Sequence, residues 1–512
     1  EQAMLEDVSS GRVAPAAAGA AMAEPIAAES FDLLVLGGGP AGVTAALRGR
    51  ELGATVALVE RDQLGGTCTN DGCAPTRVLA KAARLARDAE QYAAFGLEGR
   101  PPRVDLAELL ARAQERVYQL HEKKQLEANL AAAGARVYSE AGRVRFRGPH
   151  QVELGNGRRL AGASIIICVG GHARRLTFPG SELALTHSDI WALKRLPAGL
   201  AVIGGAATGC QLASIFAAFG TQVTILDVAE RILGGEEPAV AEAMTAAFEA
   251  RRVRVVTGIG GVERLERAGD GLALTYRAGA AKETLACQLV VQAVGWLGNL
   301  EGLNLEAAGV RAERGYIQVD ASLRTSAPHI FAAGDVDGRM MLVQSATLEG
   351  ALAAENAVLG QKRAFEHRVV PHGGFTDPEY GSVGLTEREA TEGEPSLAAL
   401  VAYAELDRAV IDGRPEGFCK LVVSRASGRI LGAHVVGEQA VEVVQVAAAG
   451  MAAGMQVQAL ARLELAYPTY AAILGLAARR LARELELTPL APTWHTLPPV
   501  ERRPAEWERA ES

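Results

Sequence analysis

At 512 residues, this chain is too long to fold around a single hydrophobic core. Its 49% hydrophobic and 22% charged residues are typical of a globular protein with several domains. A net charge of -8 without long runs of Lys and Arg argues against nucleic-acid binding, and the apolar runs are too short to span a membrane.

Residues 1–30 are rich in alanine and lack the basic start and leucine-rich centre of a signal peptide. We expect a flexible arm here. Six cysteines in so long a chain do not form a secreted disulfide framework, so we expect a cytoplasmic protein in which any disulfide is catalytic.

The first chemical motif is a glycine loop after a short apolar strand, residues 31–36. Gly37, Gly39 and Gly42 have the spacing of a dinucleotide-binding loop, and Glu60 ends the next strand about twenty residues later. The strand, the helix that follows and the acid are all in the expected order. The segment therefore predicts a dinucleotide site rather than an ordinary tight turn.

Two cysteines, Cys68 and Cys73, follow this loop with four residues between them. Residues five apart on a regular helix lie on different faces, so a disulfide here requires a distorted first turn. A helix N-terminus would favour a reactive thiolate. Two alternatives are a zinc half-site, which lacks a second Cys/His pair, and a pair of reduced structural thiols. No metal site is expected, because the other cysteines are scattered singly: Cys168, Cys210, Cys287 and Cys419.

A second glycine loop begins at Gly204 and ends at Gly209, and Asp227 stands at the offset that Glu60 has from the first loop. Two such units predict two dinucleotides, or a duplicated fold in which one site is lost. Ala206 replaces the middle glycine and places a methyl group where phosphate would approach. Asp227 favours NAD, while Arg231 nearby keeps NADP open.

From about residue 31 to about residue 487 the sequence resembles the flavoprotein disulfide reductases, which include dihydrolipoamide dehydrogenase, glutathione reductase and mercuric reductase. The resemblance depends on both glycine loops, the two-cysteine segment, and three later motifs. Those motifs are residues 332–335 (Ala-Ala-Gly-Asp), 375–379 (Phe-Thr-Asp-Pro-Glu) and 382–387 (Ser-Val-Gly-Leu-Thr-Glu).

This resemblance implies FAD and NAD(P)H as cofactors, with NADH favoured. Cys73 would lie against the flavin as a thiolate, and Cys68 would exchange with substrate. NAD(P)H would reduce the flavin on one face, and the flavin would reduce the disulfide on the other. The implied FAD residues are Gly37, Gly39, Gly42, Glu60, Gly66, Thr67, Gly334 and Asp335, and the implied nicotinamide-nucleotide residues are Gly204, Gly209 and Asp227.

The sequence departs from the family pattern at five positions near the expected active site. Arg77 stands where the family usually has Lys, and Gln211 where it has Glu, which is either compensated drift or a change in the charge near the flavin. Ala207 replaces the Tyr that covers the nicotinamide pocket. Tyr467 and Ala472 replace the His and Glu of thiol-disulfide members. A phenol is a poor base at neutral pH, so dihydrolipoamide oxidation is expected to be weak.

The function expected from this sequence is electron transfer from NAD(P)H through FAD and the Cys68–Cys73 disulfide to an unassigned small-molecule or metal-ion acceptor. One alternative is a reductase of metal ions or quinones similar to mercuric reductase, although the C-terminal and N-terminal cysteine pairs of that enzyme are missing. Another is an FAD-binding sensor or scaffold dimer with a decayed nicotinamide site. None of the nine histidines is close to Tyr467 in sequence. His372 and His434 could approach it in space, but a structural or exposed role is expected for each.

The fold expected is α/β, with two doubly wound dinucleotide-binding domains and an α+β dimerisation domain. The predicted divisions are 1–30 (arm), 31–172 (FAD domain), 173–294 (NAD(P) domain), 295–364 (return to the FAD domain), 365–487 (dimerisation domain) and 488–512 (proline-rich tail). A homodimer is expected, in which Tyr467 and Tyr470 face Cys68 of the partner. Trp494 and Trp507 suggest that the tail docks, and disorder is the alternative.

Overall fold

The protein is described by a computed structural model over residues 28–487. The tail at 488–512 and all but the last three residues of the arm at 1–30 lie outside the described residues. The described chain forms parallel and antiparallel sheets covered by helices, so the predicted mixed α/β fold class is confirmed. In residues 28–487, no helix has the length and apolarity that crossing a membrane requires.

The first sheet is built on a central parallel strand. Residues 33–36 of this strand are fully buried, as expected when helices cover both faces of a parallel sheet. It pairs in parallel with a strand on each side, so the strand order reverses where the glycine loop begins. The elements of this region are β1 (Glu29–Leu36), α1 (Pro40–Glu51), β2 (Val56–Val59), α2 (Gly66–Asn70), α3 (Cys73–Asp88), α4 (Leu106–Lys124), α5 (Leu126–Ala132), β3 (Arg136–Tyr138), β4 (Arg145–Gly148), β5 (Gln151–Glu153) and β6 (Arg159–Ile167).

The second region repeats this arrangement on a smaller scale. A four-stranded parallel sheet has the order β10-β9-β8-β14, and a three-stranded antiparallel sheet lies beside it. The central strand β8 again leads into a glycine loop. The elements are β7 (Gly171–Ala173), β8 (Gly199–Ile203), α6 (Ala207–Ala218), β9 (Gln222–Leu226), α7 (Pro238–Ala250), β10 (Arg254–Val256), β11 (Gly261–Ala268), β12 (Gly271–Ala278), β13 (Ala281–Cys287) and β14 (Leu289–Gln292).

The chain then returns to the first sheet. Ile330 pairs in parallel with Ile165 of β6, and the helix after this strand packs on α1. The two helices cross closely, because a Cβ atom on Gly350 would lie within 3.0 Å of the Ala41 backbone. The first domain is therefore discontinuous, as predicted. The returning elements are β15 (Trp296–Gly298), β16 (Ala312–Glu313), β17 (Tyr316–Ile317), β18 (Ile330–Ala332) and α8 (Val343–Leu359).

The C-terminal region is a five-stranded antiparallel sheet with the order β19-β20-β23-β22-β21. Its core lies between this sheet and the helices that follow it. The domain boundaries given above remain a prediction. The elements are β19 (His372–Gly374), β20 (Glu379–Gly384), α9 (Glu387–Gly393), β21 (Ser396–Ala402), α10 (Asp407–Ile411), β22 (Phe418–Ser424), β23 (Ile430–Gly437), α11 (Ala440–Ala452), α12 (Val457–Arg462) and α13 (Ala472–Glu484).

Two acidic residues just before α7 connect the second region to the C-terminal sheet. Ser382 donates a hydrogen bond of 2.6 Å to Glu236, and His372 lies 3.1 Å from the other oxygen of that carboxylate. Lys420 lies 2.6 Å from Glu237. These buried contacts fix the nucleotide sheet of the second region against the last domain.

Candidate functional site

The first glycine loop has the geometry of a phosphate site. A Cβ atom on Gly37 or Gly42 would overlap backbone atoms at less than 3.0 Å, so glycine is required there by the protein itself. A Cβ on Gly39 would meet nothing closer than 3.7 Å. Gly39 caps α1 without a side-chain hydrogen bond, and Glu60 accepts the Gly38 N–H at 2.7 Å. The N–H groups in the first turn of α1 have no side-chain cap and are thus available to an anion.

The second glycine loop has the same construction. Gly204 and Gly209 are again required, because a Cβ on either would overlap backbone atoms. Asp227 accepts the Gly205 N–H at 2.6 Å, as Glu60 does in the first loop. Ala206 has φ -84° and ψ -172°, close to the -75° and -174° of Gly39, so the two loops share their backbone conformation here and differ at this position by a methyl group.

The two predicted cysteines lie on either side of a break in the helix. Cys68 is in α2, which ends at Asn70, and Cys73 is the first residue of α3. The N–H groups of Asp71 and Gly72 both donate to the carbonyl of Thr67, which turns the chain between them. The distortion predicted from the spacing is therefore present, and both sulfurs are free thiols that form a hydrogen bond with each other.

This hydrogen bond makes the two thiols unequal. The bond from Cys68 lowers the pKa of Cys73 to about 7, against the effect of burial, and the backbone N–H of Cys73 also helps. The same bond raises the pKa of Cys68 far above its ordinary value, and burial adds to this effect. The pair therefore shares one proton near neutral pH, with the thiolate on Cys73 and the thiol on Cys68.

The cysteine helix is packed directly against the first glycine loop. Gly66 lies so close that a Cβ on it would come within 2.8 Å of the Gly39 Cα. Gly65 donates a backbone hydrogen bond of 2.9 Å to the Gly38 carbonyl. A phosphate bound on this loop would therefore lie close to Gly66, which is two residues before Cys68 in the chain.

The returning strand brings a half-buried acidic group, Asp335, to the same region. Asp335 follows β18, and its carboxylate opposes thiolate formation at both cysteines. Glu349 accepts the Gly334 N–H at 2.7 Å and lies 2.7 Å from His367. Burial and the nearby Glu349 raise the pKa of Asp337 to about 7. The structure thus places Asp335 near enough for its charge to act on both thiols, while Gly334 lies against Ala41 of α1.

Arg77 and Gln211 do not contact each other in a hydrogen bond or ion pair. Arg77 lies over the Phe375 ring at 3.7 Å and pairs with Glu379 at 3.5 Å. Gln211 accepts the Phe375 N–H at 3.3 Å and donates to the Ala207 carbonyl at 3.2 Å. Residues 375–379 form one of the family motifs, but the pairing of Glu379 with Arg77 was not predicted from the sequence.

Tyr467 is 76% exposed, and its hydroxyl donates a hydrogen bond of 2.7 Å to Asp407. This hydrogen bond raises the pKa of the phenol above its ordinary value. Tyr467 is therefore a neutral hydrogen-bond donor near pH 7 rather than a base. Asp407 is a further residue that the sequence analysis missed, since it lies sixty residues earlier in the chain.

One expectation about the surroundings of Tyr467 is wrong. Tyr470 is only 3% exposed, and its hydroxyl donates to Asp412 of the same chain, so it does not face outward toward a partner. His372 and His434 do not supply a base to Tyr467. The first pairs with Glu236, and the second is 2% exposed and donates to the Leu385 carbonyl.

A dithiol beside one dinucleotide loop, with a second loop in the same chain, defines a nucleotide-linked oxidoreductase of the disulfide type. The chain belongs to the pyridine nucleotide-disulphide oxidoreductase family, whose sequence profile matches residues 31–350. The profile of the dimerisation domain of the same family matches residues 370–478. Members of this family depend on FAD and use NAD(P)H as electron donor.

Several known proteins are similar over most of the chain. Dihydrolipoyl dehydrogenase of Thermus scotoductus is 35% identical, over 89% of this chain and 98% of its own length. Mercuric reductase of Staphylococcus aureus is 31% identical, over 88% of this chain and 82% of its own. The HOCl-induced flavoprotein disulfide reductase RclA of Escherichia coli has a TM-score of 0.78 at 26% identity, covering 88% of this chain and 99% of that one.

The residues present fit FAD on the first loop. Nothing in the protein requires Gly39 to be a glycine, yet its open face borders the uncapped end of α1, as expected where pyrophosphate approaches the backbone. The second loop has the same uncapped helix end at α6, with Asp227 beside it and the Ala206 methyl group facing outward. Both loops can therefore hold a dinucleotide, the second with less room.

Proposed function

We propose that this protein passes electrons from NAD(P)H through FAD to the Cys68–Cys73 pair, and from Cys68 to an acceptor outside the chain. Bound FAD would supply the two-electron chemistry that connects a nicotinamide to a disulfide. The observation that carries the proposal is the position of the pair: Cys68 and Cys73 lie on either side of a helix break that is packed on the first glycine loop. The lowered pKa of Cys73 and the raised pKa of Cys68 support it.

The roles of the two cysteines are tested by anaerobic titration of the holoenzyme with NADH. A Cys73 thiolate in contact with the flavin should produce a long-wavelength absorption band. Cys68→Ser should keep this band, because the thiolate remains, and Cys73→Ser should lose it. Persistence of the band in Cys73→Ser would refute the assignment.

We propose further that the acceptor does not require a protein base. Tyr467 is the exposed aromatic residue at the position where thiol-disulfide members have histidine, and its hydroxyl is engaged by Asp407. In the homodimer proposed from the dimerisation domain, Tyr467 of one subunit would face Cys68 of its partner. Metal ions accept electrons without proton transfer, and a quinone can take its protons from water, so both suit such a site better than lipoamide does.

Steady-state assays with lipoamide, glutathione disulfide, Hg(II), Cu(II) and a quinone separate these acceptors. The expected order places a metal ion or the quinone above lipoamide, and Tyr467→His should raise lipoamide turnover. A wild-type preference for lipoamide would refute the inference from Tyr467.

NADH is the proposed donor, since Asp227 lies where a 2′-phosphate would be repelled. Arg231 donates to the carbonyls of Gly234 and Glu236 in its own loop. Calorimetric titration with NADH and NADPH tests this choice. Binding of neither nucleotide by a protein that retains FAD would instead favour the sensor or scaffold alternative.

A further inference from the structure

The loop between the two cysteines is held by a turn from more than one hundred residues later. Trp191 donates from its indole nitrogen to the Asp71 carbonyl at 2.9 Å. Ser188 donates to the Asp71 carboxylate at 2.6 Å. Both residues lie in the short 3-10 helix His187–Ala192. This 3-10 helix thus holds both the backbone carbonyl and the side chain of Asp71, which lies between α2 and α3.

His187 extends this contact into the protein interior. It is 7% exposed, its ring lies 4.8 Å from that of Trp296, and its Nε2 is 3.2 Å from the Ser188 hydroxyl. Ser188 has a single hydrogen, which it gives to the Asp71 carboxylate, so Nε2 of His187 must be the donor to Ser188. The hydrogen bonds run in one direction, from His187 through Ser188 to Asp71.

The turn that carries His187 is itself fixed from its other side. Thr186 donates to Asp189 through its N–H at 2.7 Å and its hydroxyl at 2.9 Å, and Arg175 pairs with the same carboxylate at 2.7 Å. Burial lowers the pKa of His187, against the opposing effect of Asp71 and Asp189. At neutral pH the imidazole is therefore a neutral donor in a fixed position.

Asp71 matters because its carboxylate stands two residues before Cys73 in the chain and acts on the charge of that thiol. The carboxylates of Asp335 and Asp71 both oppose the Cys73 thiolate, while the hydrogen bond from Cys68 and the backbone N–H of Cys73 favour it. A group that fixes the Asp71 charge therefore contributes to the free energy of ionising Cys73. The size of this contribution should depend on how firmly Ser188 holds the Asp71 carboxylate, since that side chain is 36% exposed and could otherwise turn to solvent.

We propose that His187 is a positioning residue for the dithiol, which acts through Ser188 to hold the Asp71 carboxylate beside Cys73 and so adjusts how readily Cys73 forms its thiolate. This role rests on the proposed function of the cysteine pair. The role is separate from the choice of acceptor, because its residues all belong to the same subunit as the dithiol and Tyr467 is not among them.

The test is the pH dependence of Cys73 alkylation in the holoenzyme after anaerobic reduction with a phosphine. Each variant is compared with the wild type, because a flavin against Cys73 would slow alkylation in all of them. Iodoacetamide is used as the probe, and peptide mass spectrometry reads Cys73 separately from Cys68. Asp71→Asn should raise the Cys73 rate at pH 6 by about threefold, because a charge that opposes the thiolate is gone. His187→Phe keeps a ring against Trp296 but lacks a donor, and should raise the rate about twofold. His187→Gln retains an N–H and should match the wild type.

Combining His187→Phe with Asp71→Asn shows whether His187 acts through Asp71. The double variant should match Asp71→Asn alone, since no carboxylate remains to be held. The proposal would be overturned if His187→Phe left the alkylation rate unchanged. It would also be overturned if His187→Phe raised the rate equally in the wild type and in the Asp71→Asn variant.

FAD content and far-UV circular dichroism report folding, and Ser188→Ala gives the same comparison if His187→Phe does not fold. Alkylation needs neither NADH nor an acceptor, so a missing thiolate-flavin band would refute the proposed function while this series remained readable.

Discussion

Two alanine substitutions in the first glycine loop should separate its role in folding from its role in cofactor binding. A Cβ at Gly42 would overlap the carbonyl of Gly37, whereas a Cβ at Gly39 would meet only Gly66, at 3.7 Å. Overpacking against backbone costs about 3 kcal/mol. The higher helix propensity of alanine returns about 1 kcal/mol in α1. Gly42→Ala should therefore lose about 2 kcal/mol, which lowers the melting temperature of such a domain by about 4–8 °C.

Gly39→Ala should behave differently, because its methyl group points to the face that the cofactor would approach. We expect its melting temperature without FAD to stay within about 3 °C of the wild type, since only a favourable cap is weakened. Its FAD dissociation constant should rise about 30-fold, equivalent to about 2 kcal/mol. Differential scanning fluorimetry of the stripped protein and flavin fluorescence titration measure the two effects. Equal melting temperatures for the two variants would refute this reading of the loop.

Three further predictions concern single groups. Ala206→Gly removes the methyl group that distinguishes the second loop from the first, so the KM for NADH should fall about threefold; an unchanged KM would mean that the methyl group does not meet the nucleotide. The long-wavelength band of the reduced enzyme should disappear as pH falls through about 7, because the lowered pKa of Cys73 keeps the thiolate only above that value; spectra between pH 5 and 9 would contradict this if the midpoint stayed near 9. Asp337 has its pKa raised to about 7, so its ionisation destabilises the fold as pH rises from about 4 to about 7, and Asp337→Asn should melt higher than the wild type at pH 8 but equally at pH 4; equal melting at both pH values would exclude a buried charge.

Much of the fold could be predicted because its signals are local. The loop at Gly37 and the one at Gly204 each combine a buried strand, a positive φ and a helix start within a few residues. The spacing of Cys68 and Cys73 required a broken helix, and the break lies between them. The return of the chain at Ile330–Ala332 was predicted from the family motif that follows it.

The contacts that determine the chemistry were harder to predict, because they join residues that are distant in sequence. Glu379 lies 302 residues from Arg77, and Ser188 lies 117 residues from Asp71. Tyr470 was expected to be outward because it is close to Tyr467, but the start of α13 carries it into the core of the last domain. The periodicity of apolar residues in a sequence does not indicate which distant side chain will be the hydrogen-bond partner of a given group.

The discontinuity of the first domain has a consequence for how the protein is made. The first sheet is missing its strand β18, and α1 is missing the helix α8 that packs on it, until the ribosome has synthesised the chain as far as Leu359. An entire second domain must leave the ribosome before the first can close around its cofactor. Nascent chains that stop short of this helix should therefore remain colourless, and flavin uptake should be a late event in biosynthesis.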